Sequence, residues 1–116
     1  MGKKEPKQKI LSEKAITKQI RDWLKLSHIF HWKQIGGLGL PAGIADIIGI
    51  FRGKFLAIEV KRPGNKLSDK QKAFLENVEK EGGIAIVAYS VNDVVSRLSE
   101  ELKKEIDEIQ KRRKEK

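Results

Sequence analysis

The chain has 116 residues, enough for one hydrophobic core and too few for two, so we expect a single domain over 1–116. It contains no cysteine, which excludes disulfide scaffolds, cysteine nucleophiles and thiolate zinc sites, and leaves metal binding to carboxylates and two histidines. A net charge of +9, from 25 Lys and Arg against 16 Asp and Glu, favours a polyanionic partner such as nucleic acid, without saying what the protein does there.

The chain begins with a lysine-rich segment, residues 1–9, that offers almost nothing for a core, so we expect a disordered basic leader. This start lacks the apolar core of a signal peptide. The longest apolar stretch, around 43–51, is far shorter than the ~20 residues that span a bilayer. We therefore expect an intracellular protein of the cytoplasm or nucleoid, with no membrane partner, from either a viral or a cellular host.

A first helix is predicted over 13–26, with Ser12 as its N-cap, because apolar residues recur at helical spacing. These residues are Ile16, Ile20, Trp23 and Leu24. Residues 28–35 are rich in aromatic and branched side chains and predict a strand. The glycine-rich segment 36–43 predicts an irregular loop, and a phosphate-binding P-loop is rejected because no Gly-Lys-Ser/Thr follows.

A β-hairpin is predicted next, from strands at 44–51 and 54–62 joined by a tight Arg52-Gly53 turn. With a two-residue turn, Asp46 lies directly opposite Glu59. Opposed like charges destabilise a strand pair, so their presence suggests a cation between them. Lys61 shares the face of Glu59 because side chains alternate along a strand. An odd number of turn residues would move Glu59 to the other face and remove the site.

The rest of the chain predicts a helix, a strand and a last helix. Ser68 and Gln71 have the spacing of a capping box, the helix stops at Gly82-Gly83, and 84–89 is a short apolar strand. Ser90 can cap a final helix with a long apolar stripe, and its charged end, 111–116, is expected to fray. The order α-β-β-β-α-β-α, with a parallel crossover, predicts a mixed sheet flanked by helices, an α/β (α+β) fold.

The chemistry that this hairpin could perform is metal-dependent phosphodiester hydrolysis, in which an ion polarises the phosphoryl group and activates water. Asp46 and Glu59 would be ligands, and the Val60 carbonyl could complete a site for a hard ion. Lys61 could orient or deprotonate the attacking water, or stabilise the transition state. In a chain that is 35% charged, however, the same residues can be an ordinary cross-strand charge pair. Spacing alone leaves both interpretations open.

Four segments of the chain resemble the VRR-NUC family, the virus-type replication-repair nucleases of the PD-(D/E)XK superfamily. The segments are Gly43-Ile-Ala-Asp-Ile-Ile-Gly49, Phe55-Leu-Ala-Ile-Glu-Val-Lys-Arg-Pro-Gly64, Leu67-Ser-Asp-Lys-Gln-Lys-Ala-Phe-Leu75 and Gly82-Gly-Ile-Ala-Ile-Val87. The similarity extends over roughly 12–98 and implies a restriction-endonuclease-like core. One departure is Ala45, where family members commonly have proline before the motif aspartate.

The resemblance implies a Mg²⁺- or Mn²⁺-dependent DNA endonuclease. Asp46 and Glu59 match the metal-binding acids, Lys61 matches the catalytic lysine, and Glu13 is implied as a third acid. For Glu13 the competing explanation is that acidic residues are favoured in the first turn of any helix. Gln71 matches a family glutamine that approaches the active site, and here the competing explanation is the capping box.

The same resemblance implies structure-selective cutting of branched or Holliday-junction DNA in replication, repair or recombination, by a homodimer without a small-molecule cofactor. The alternative is a non-catalytic nucleic-acid-binding module with a nuclease-like fold. A lone histidine such as His31 is more often packed or exposed than catalytic. Phe30 and Trp32 could stack on unpaired bases, but we expect them to pack in the core.

Overall fold

A computed structural model describes residues 10–36 and 39–115 of the chain. Its elements are α1 (Glu13–Leu26), β1 (His31–Lys33), β2 (Ile47–Phe51), β3 (Lys54–Val60), α2 (Asp69–Lys80), β4 (Ile84–Ala88) and α3 (Val91–Lys114). The predicted order and the α+β fold class are confirmed. The basic leader predicted for 1–9 lies outside the described residues.

The four strands form one mixed sheet in the order β1-β2-β3-β4. The pairs β1–β2 and β2–β3 are antiparallel, whereas β3 and β4 are parallel and are connected through α2. The strands are shorter than predicted, since β1 has three residues and β2 begins at Ile47. At Asp46 the side chain, and not the backbone, accepts the hydrogen bond of the Val60 N–H, so regular pairing of β2 ends there.

Helices cover both faces of the sheet. On one face α1 and α3 bury branched side chains against alternate residues of β2, β3 and β4. On the other face α2 packs over a smaller cluster centred on Ile48, Ala57 and Leu75. Burying a Leu or Ile side chain contributes about 1.5–3 kcal/mol, so the first and larger cluster supplies most of the hydrophobic stabilisation. Glu59 and Lys61 alternate along the chain with the residues that point into this first cluster. Their side chains therefore lie on the opposite face of the sheet, which α2 covers.

The turn between β2 and β3 has two residues, Arg52 and Gly53, whose φ angles are 53° and 81°. Positive φ at both central positions is the geometry of a type I′ turn, which matches the twist of a hairpin. The pairing runs from Phe51 opposite Lys54 to Ile47 opposite Ile58, and the next opposed position along it is that of Asp46 and Glu59. The predicted hairpin register is confirmed.

The last helix differs from its prediction at the N-terminus. Ser90 holds the N-cap position but makes no capping hydrogen bond with its side chain, so the predicted cap was wrong. Asp93 Oδ2 accepts from the Tyr89 N–H at 2.8 Å instead. At the other end α3 extends to Lys114, with basic residues in its last turn that suit the negative end of the helix dipole, and the fraying predicted for 111–116 stays a prediction.

The helices of the described residues show no stretch long and apolar enough to cross a membrane. The longest of them, α3, is amphipathic. Its apolar stripe is buried as far as Leu98 and becomes exposed beyond it, at Leu102, Ile106 and Ile109.

Candidate active site

Three polar side chains predicted for the site meet at the carboxyl end of β3. Glu59 is only 3% exposed, an unusual position for a carboxylate. Lys61, two residues along the same face, places its Nζ 3.9 Å from Glu59 Oε1. Asp46, across the hairpin, is near enough for its charge and a hydrogen bond to act on Glu59. The structure therefore brings together the acids and the lysine that the sequence singled out.

Asp46 is held in place by the two strands beside it. Its Oδ2 accepts from the Val60 N–H at 2.8 Å, and its backbone carbonyl accepts from the Gln34 N–H at 2.7 Å. In an extended strand the N–H and C=O of one residue point to the same side, so the Val60 carbonyl is also turned toward Asp46. The predicted carbonyl ligand is thus on the side of β3 that faces Asp46.

Glu59 has a strongly perturbed acidity. Burial raises the pKa of its carboxyl from 4.5 to about 8, with a further upward contribution from the negative charge of Asp46. The Lys61 ammonium acts in the opposite direction and lowers the pKa. One positive charge does not offset burial and a second carboxylate, so at neutral pH the pair retains a proton unless a cation neutralises it.

Gln71 links the first turn of α2 to Glu59. Its Nε2 donates to Glu59 Oε1 at 2.9 Å, while its Oε1 accepts from the Ser68 N–H at 2.9 Å. Ser68 Oγ accepts from the Gln71 N–H in return, at 3.1 Å, which completes the capping box. The sequence offered the capping box and the active-site glutamine as competing explanations, and a single side chain makes both sets of contacts.

A pair of substitutions separates the two roles of Gln71. Ser68→Ala removes the cap and should lower the free energy of unfolding by about 1 kcal/mol while leaving the Gln71–Glu59 hydrogen bond. Gln71→Ala should cost a similar amount of stability and also free the Glu59 carboxylate. For the DNA cleavage that the sequence resemblance implies, we expect the rate to fall about tenfold or more in Gln71→Ala and to change little in Ser68→Ala, measured on matched DNA with thermal unfolding as control. Equal losses in both variants would mean that the glutamine acts only as a cap.

Gly43 helps to form the site, a role that was not predicted from the sequence. Its φ is +75°, and a Cβ there would lie 2.5 Å from the backbone carbonyl of Lys70 and 2.7 Å from the Gln71 N. Only glycine allows so close an approach at this φ. The loop before Asp46 is therefore seated on the first turn of α2, which brings Asp46 and Gln71 to one place. The feature of the sequence that could have indicated this role is the glycine three residues before Asp46.

Glu13, the predicted third acid, is not grouped with Asp46 and Glu59 in this structure, and its role as a ligand stays a prediction. It lies in the first turn of α1, which packs on the other face of the sheet, and its Oε1 accepts from Asn65 Nδ2 at 3.2 Å. Its negative charge still contributes to the raised pKa of Glu59. Among residues 10–36 and 39–115, no group of three or more His, Asp or Glu side chains could hold a metal ion.

The donor set nevertheless suits a hard divalent cation. Asp46, Glu59 and the Val60 carbonyl offer oxygen atoms only, which Mg²⁺ and Mn²⁺ prefer, and Mg²⁺ usually needs just one or two carboxylates because it keeps several waters. Because burial raises the pKa of Glu59 to about 8 beside another acid, a bound cation would favour loss of the proton that the pair retains. The residues present therefore fit a divalent ion with two protein carboxylates.

The aromatic residues Phe30, just before β1, and Trp32, within it, are not in the core, and the prediction that they pack there was wrong. Phe30 is 67% exposed and Trp32 is 42% exposed, with their rings edge to face at 5.8 Å. The reason is that β1 is the edge strand, whereas α2 covers β3 and β4. His31 points to the opposite face from Trp32, and its Nδ1 lies 2.8 Å from the Ile29 carbonyl oxygen.

Comparisons with known proteins agree with this architecture. The family model of the VRR-NUC domain matches residues 3–92. A solved structure described as a VRR_NUC domain protein superimposes with a TM-score of 0.64 and 29% sequence identity, over 76% of this chain and 85% of that chain. A search of curated proteins finds no match.

The fold and the grouped acids and lysine define a nuclease-type domain, and DNA is the substrate class that such a domain implies. Since the family model covers well over half of its length, the chain belongs to the VRR-NUC family.

Proposed function

We propose that this protein is a Mg²⁺- or Mn²⁺-dependent DNA endonuclease whose active site is the cluster of Asp46, Glu59, Lys61 and Gln71. The observation that carries the proposal is the buried Glu59 carboxylate, which Lys61, Gln71 and Asp46 surround at the end of β3. Such a costly arrangement of charge is typical of functional sites, because an ordinary core avoids it.

Asp46, Glu59 and the Val60 carbonyl are the groups that would hold the ion. When bound, a divalent ion would polarise the phosphoryl group and favour deprotonation of a water. The protein's own part is to present the two carboxylates from a rigid strand pair. Gln71 fixes one oxygen of Glu59 by its 2.9 Å hydrogen bond and so leaves the other oxygen for the ion.

We propose that Lys61 acts on the phosphate group that reacts. Its Nζ is mostly buried and lies beside Glu59, so its charge is little screened by solvent. An ammonium at this position can orient the attacking water and stabilise negative charge that develops on the phosphate oxygens. Glu13, held by Asn65 at the edge of the site, is proposed to act on the ion through bound water, not as a direct ligand.

We further propose that the enzyme acts inside the cell on branched or junction DNA, in replication, repair or recombination, as a homodimer. The exposed Phe30 and Trp32 support selectivity for branches, because aromatic rings at a cleavage face can stack on bases that have lost their partners. The exposed stripe of Leu102, Ile106 and Ile109 supports the dimer, since their spacing is that of helices packing side by side.

The alternative function is a nucleic-acid-binding module without catalysis, and one experiment decides between the two. The purified protein is incubated with a four-way junction, a flap and a linear duplex in Mg²⁺ or Mn²⁺, beside a sample in chelator. We expect cutting of the branched substrates that stops in chelator. Binding without any cutting would establish the module instead. Equal cutting of branched and linear DNA would remove only the structure selectivity.

A further inference from the structure

A basic groove runs along the outer side of α1, toward β1. It has a volume of about 520 Å³. Its charged lining residues are Lys14, Lys18, Arg21, Lys25 and Lys33, with Asp22 as the one acid. None of these residues belongs to the proposed active site, so the groove needs an explanation of its own.

The cations of α1 form a continuous stripe because they are spaced four, three and four residues apart, which places them on one side of a helix. Asp22 neutralises only Lys18, at 2.8 Å. Within the described part of the chain, Lys14, Lys25 and Lys33 make no ion pair. The Nε of Arg21 is buried there without a hydrogen-bond partner. The groove therefore presents positive charge and an unused donor.

The strand wall of the groove ends beside Asp46, and its helix wall ends beside Glu13 at the edge of the site. On the helix wall, Lys14 directly follows Glu13. On the strand wall, Lys33 pairs with Ile47, the neighbour of Asp46. The next residue, Gln34, donates its N–H to the Asp46 carbonyl at 2.7 Å. Because α1 and Glu59 lie on opposite faces of the sheet, a chain molecule whose reacting group lay at Asp46 would pass the end of the sheet beside Gln34 to enter the groove.

We propose that this groove binds the phosphate backbone of the DNA strand that extends from the cleavage site. The proposal rests on the proposed nuclease function and names the path of its substrate. Lys14 and Lys25 are eleven residues apart, about 16 Å at 1.5 Å per residue. At 3.4 Å of axis per phosphate of one strand, the stripe spans about five phosphates. The regular spacing of phosphates along a DNA strand matches the regular spacing of the cations along α1. Contacts to phosphates do not depend on the base sequence.

The salt dependence of DNA binding tests the groove. Lys14, Lys25 and Lys33 are changed together to Gln, and the matched control changes Lys80, Lys103 and Lys111, which lie on α2 and α3. Binding is measured in chelator, so that cutting plays no part. We expect the slope of log K against log salt to fall by about 2–3 in the groove variant, at ~0.9 per lost phosphate contact, and by less than about 1 in the control.

The proposal that the groove binds DNA would be overturned by equal changes of slope in the two triple variants. It would also be overturned if the unmodified protein did not bind DNA. Tighter binding of polyglutamate than of DNA would also overturn it, since it would show a site for acidic polypeptides. Cleavage in Mg²⁺ is scored separately. If the groove variant shows no fall in slope while the protein still cuts DNA, the proposed groove is refuted and the nuclease function is not. If the slope falls but the protein does not cut DNA, the nuclease function is refuted and the groove remains as a DNA-binding site.

The absence of cysteine allows the path to be mapped directly. A single Lys25→Cys substitution carries a tethered iron–EDTA group, and Lys80→Cys serves as control. Lys25 is about 18 Å of helix from Glu13, so scission is expected about five nucleotides from the enzyme's own cut. Marks at the same nucleotides from both conjugates, or none from Lys25→Cys, would contradict the proposed path.

Discussion

Asp46→Asn is expected to bind branched DNA as well as the unmodified protein and to cleave it at least about a hundredfold more slowly. Replacing even groups that only orient a metal ligand costs about 10–100-fold, and Asp46 is proposed as a ligand itself. Asparagine keeps an oxygen that can accept the 2.8 Å hydrogen bond from the Val60 N–H, so the hairpin should remain folded. Initial cleavage rates in Mg²⁺, with binding measured in chelator, check this result.

The matched control is Asp107→Asn, which removes the same charge from an exposed position on α3. We expect its rate and its melting temperature to remain unchanged. Cleavage that survives in Asp46→Asn at the normal rate would show that the site has been assigned to the wrong residues. A large fall in the melting temperature of Asp46→Asn would show that the carboxylate is needed for folding, and its rate would then be compared with that of Lys61→Ala.

Without divalent metal, the free energy of unfolding is expected to fall as the pH rises from about 5 to about 8. The pKa of Glu59 is raised from 4.5 to about 8 in the folded protein, chiefly by burial, so the folded state binds more protons than the unfolded state in that range. The stabilising contribution of the protonated carboxyl is therefore complete below the unfolded pKa and is lost as the pH passes the folded one. Thermal unfolding at intervals of pH measures the slope.

Two variants and a metal titration test whether this pH dependence of stability arises from Glu59. Glu59→Gln removes the titrating group and should abolish the slope between these pH values. Glu105→Gln should preserve it, because the hydrogen bond and charge of Arg52 lower the pKa of Glu105 and place its titration at more acidic pH. Added Mg²⁺ should stabilise the protein more at pH 8 than at pH 6, since the ion and the proton compete for Glu59. A slope unchanged in Glu59→Gln would disprove the assignment.

Local sequence signals were sufficient for most of the fold. The bounds of α1 and the capping box at Ser68 follow from a few adjacent residues, and the structure has both. The hairpin register followed from the Arg52-Gly53 turn, because a two-residue turn leaves one pairing. That register placed Asp46 opposite Glu59, so the centre of the candidate site was predictable before any tertiary contact was known.

Errors appeared where the result depended on which element covers which face. Phe30 and Trp32 look like core residues by composition, but they lie at an edge strand of the sheet and are exposed. The role of Glu13 as a third acid stays a prediction, since α1 packs on the face opposite to Glu59 and Glu13 accepts a hydrogen bond from Asn65. Hydrophobic pattern shows that a residue has a buried side, but it does not give the arrangement of helices around a sheet.

The sequence by itself determined the element order, the family resemblance and the facing pair of Asp46 and Glu59, because these depend on short-range periodicity and one turn. Only the tertiary structure decided that Gln71 both caps α2 and holds Glu59, that Gly43 seats the loop on that helix, and that α1 and β1 border a basic groove. Those relations join segments far apart in the chain. They depend on packing distances that no local pattern encodes.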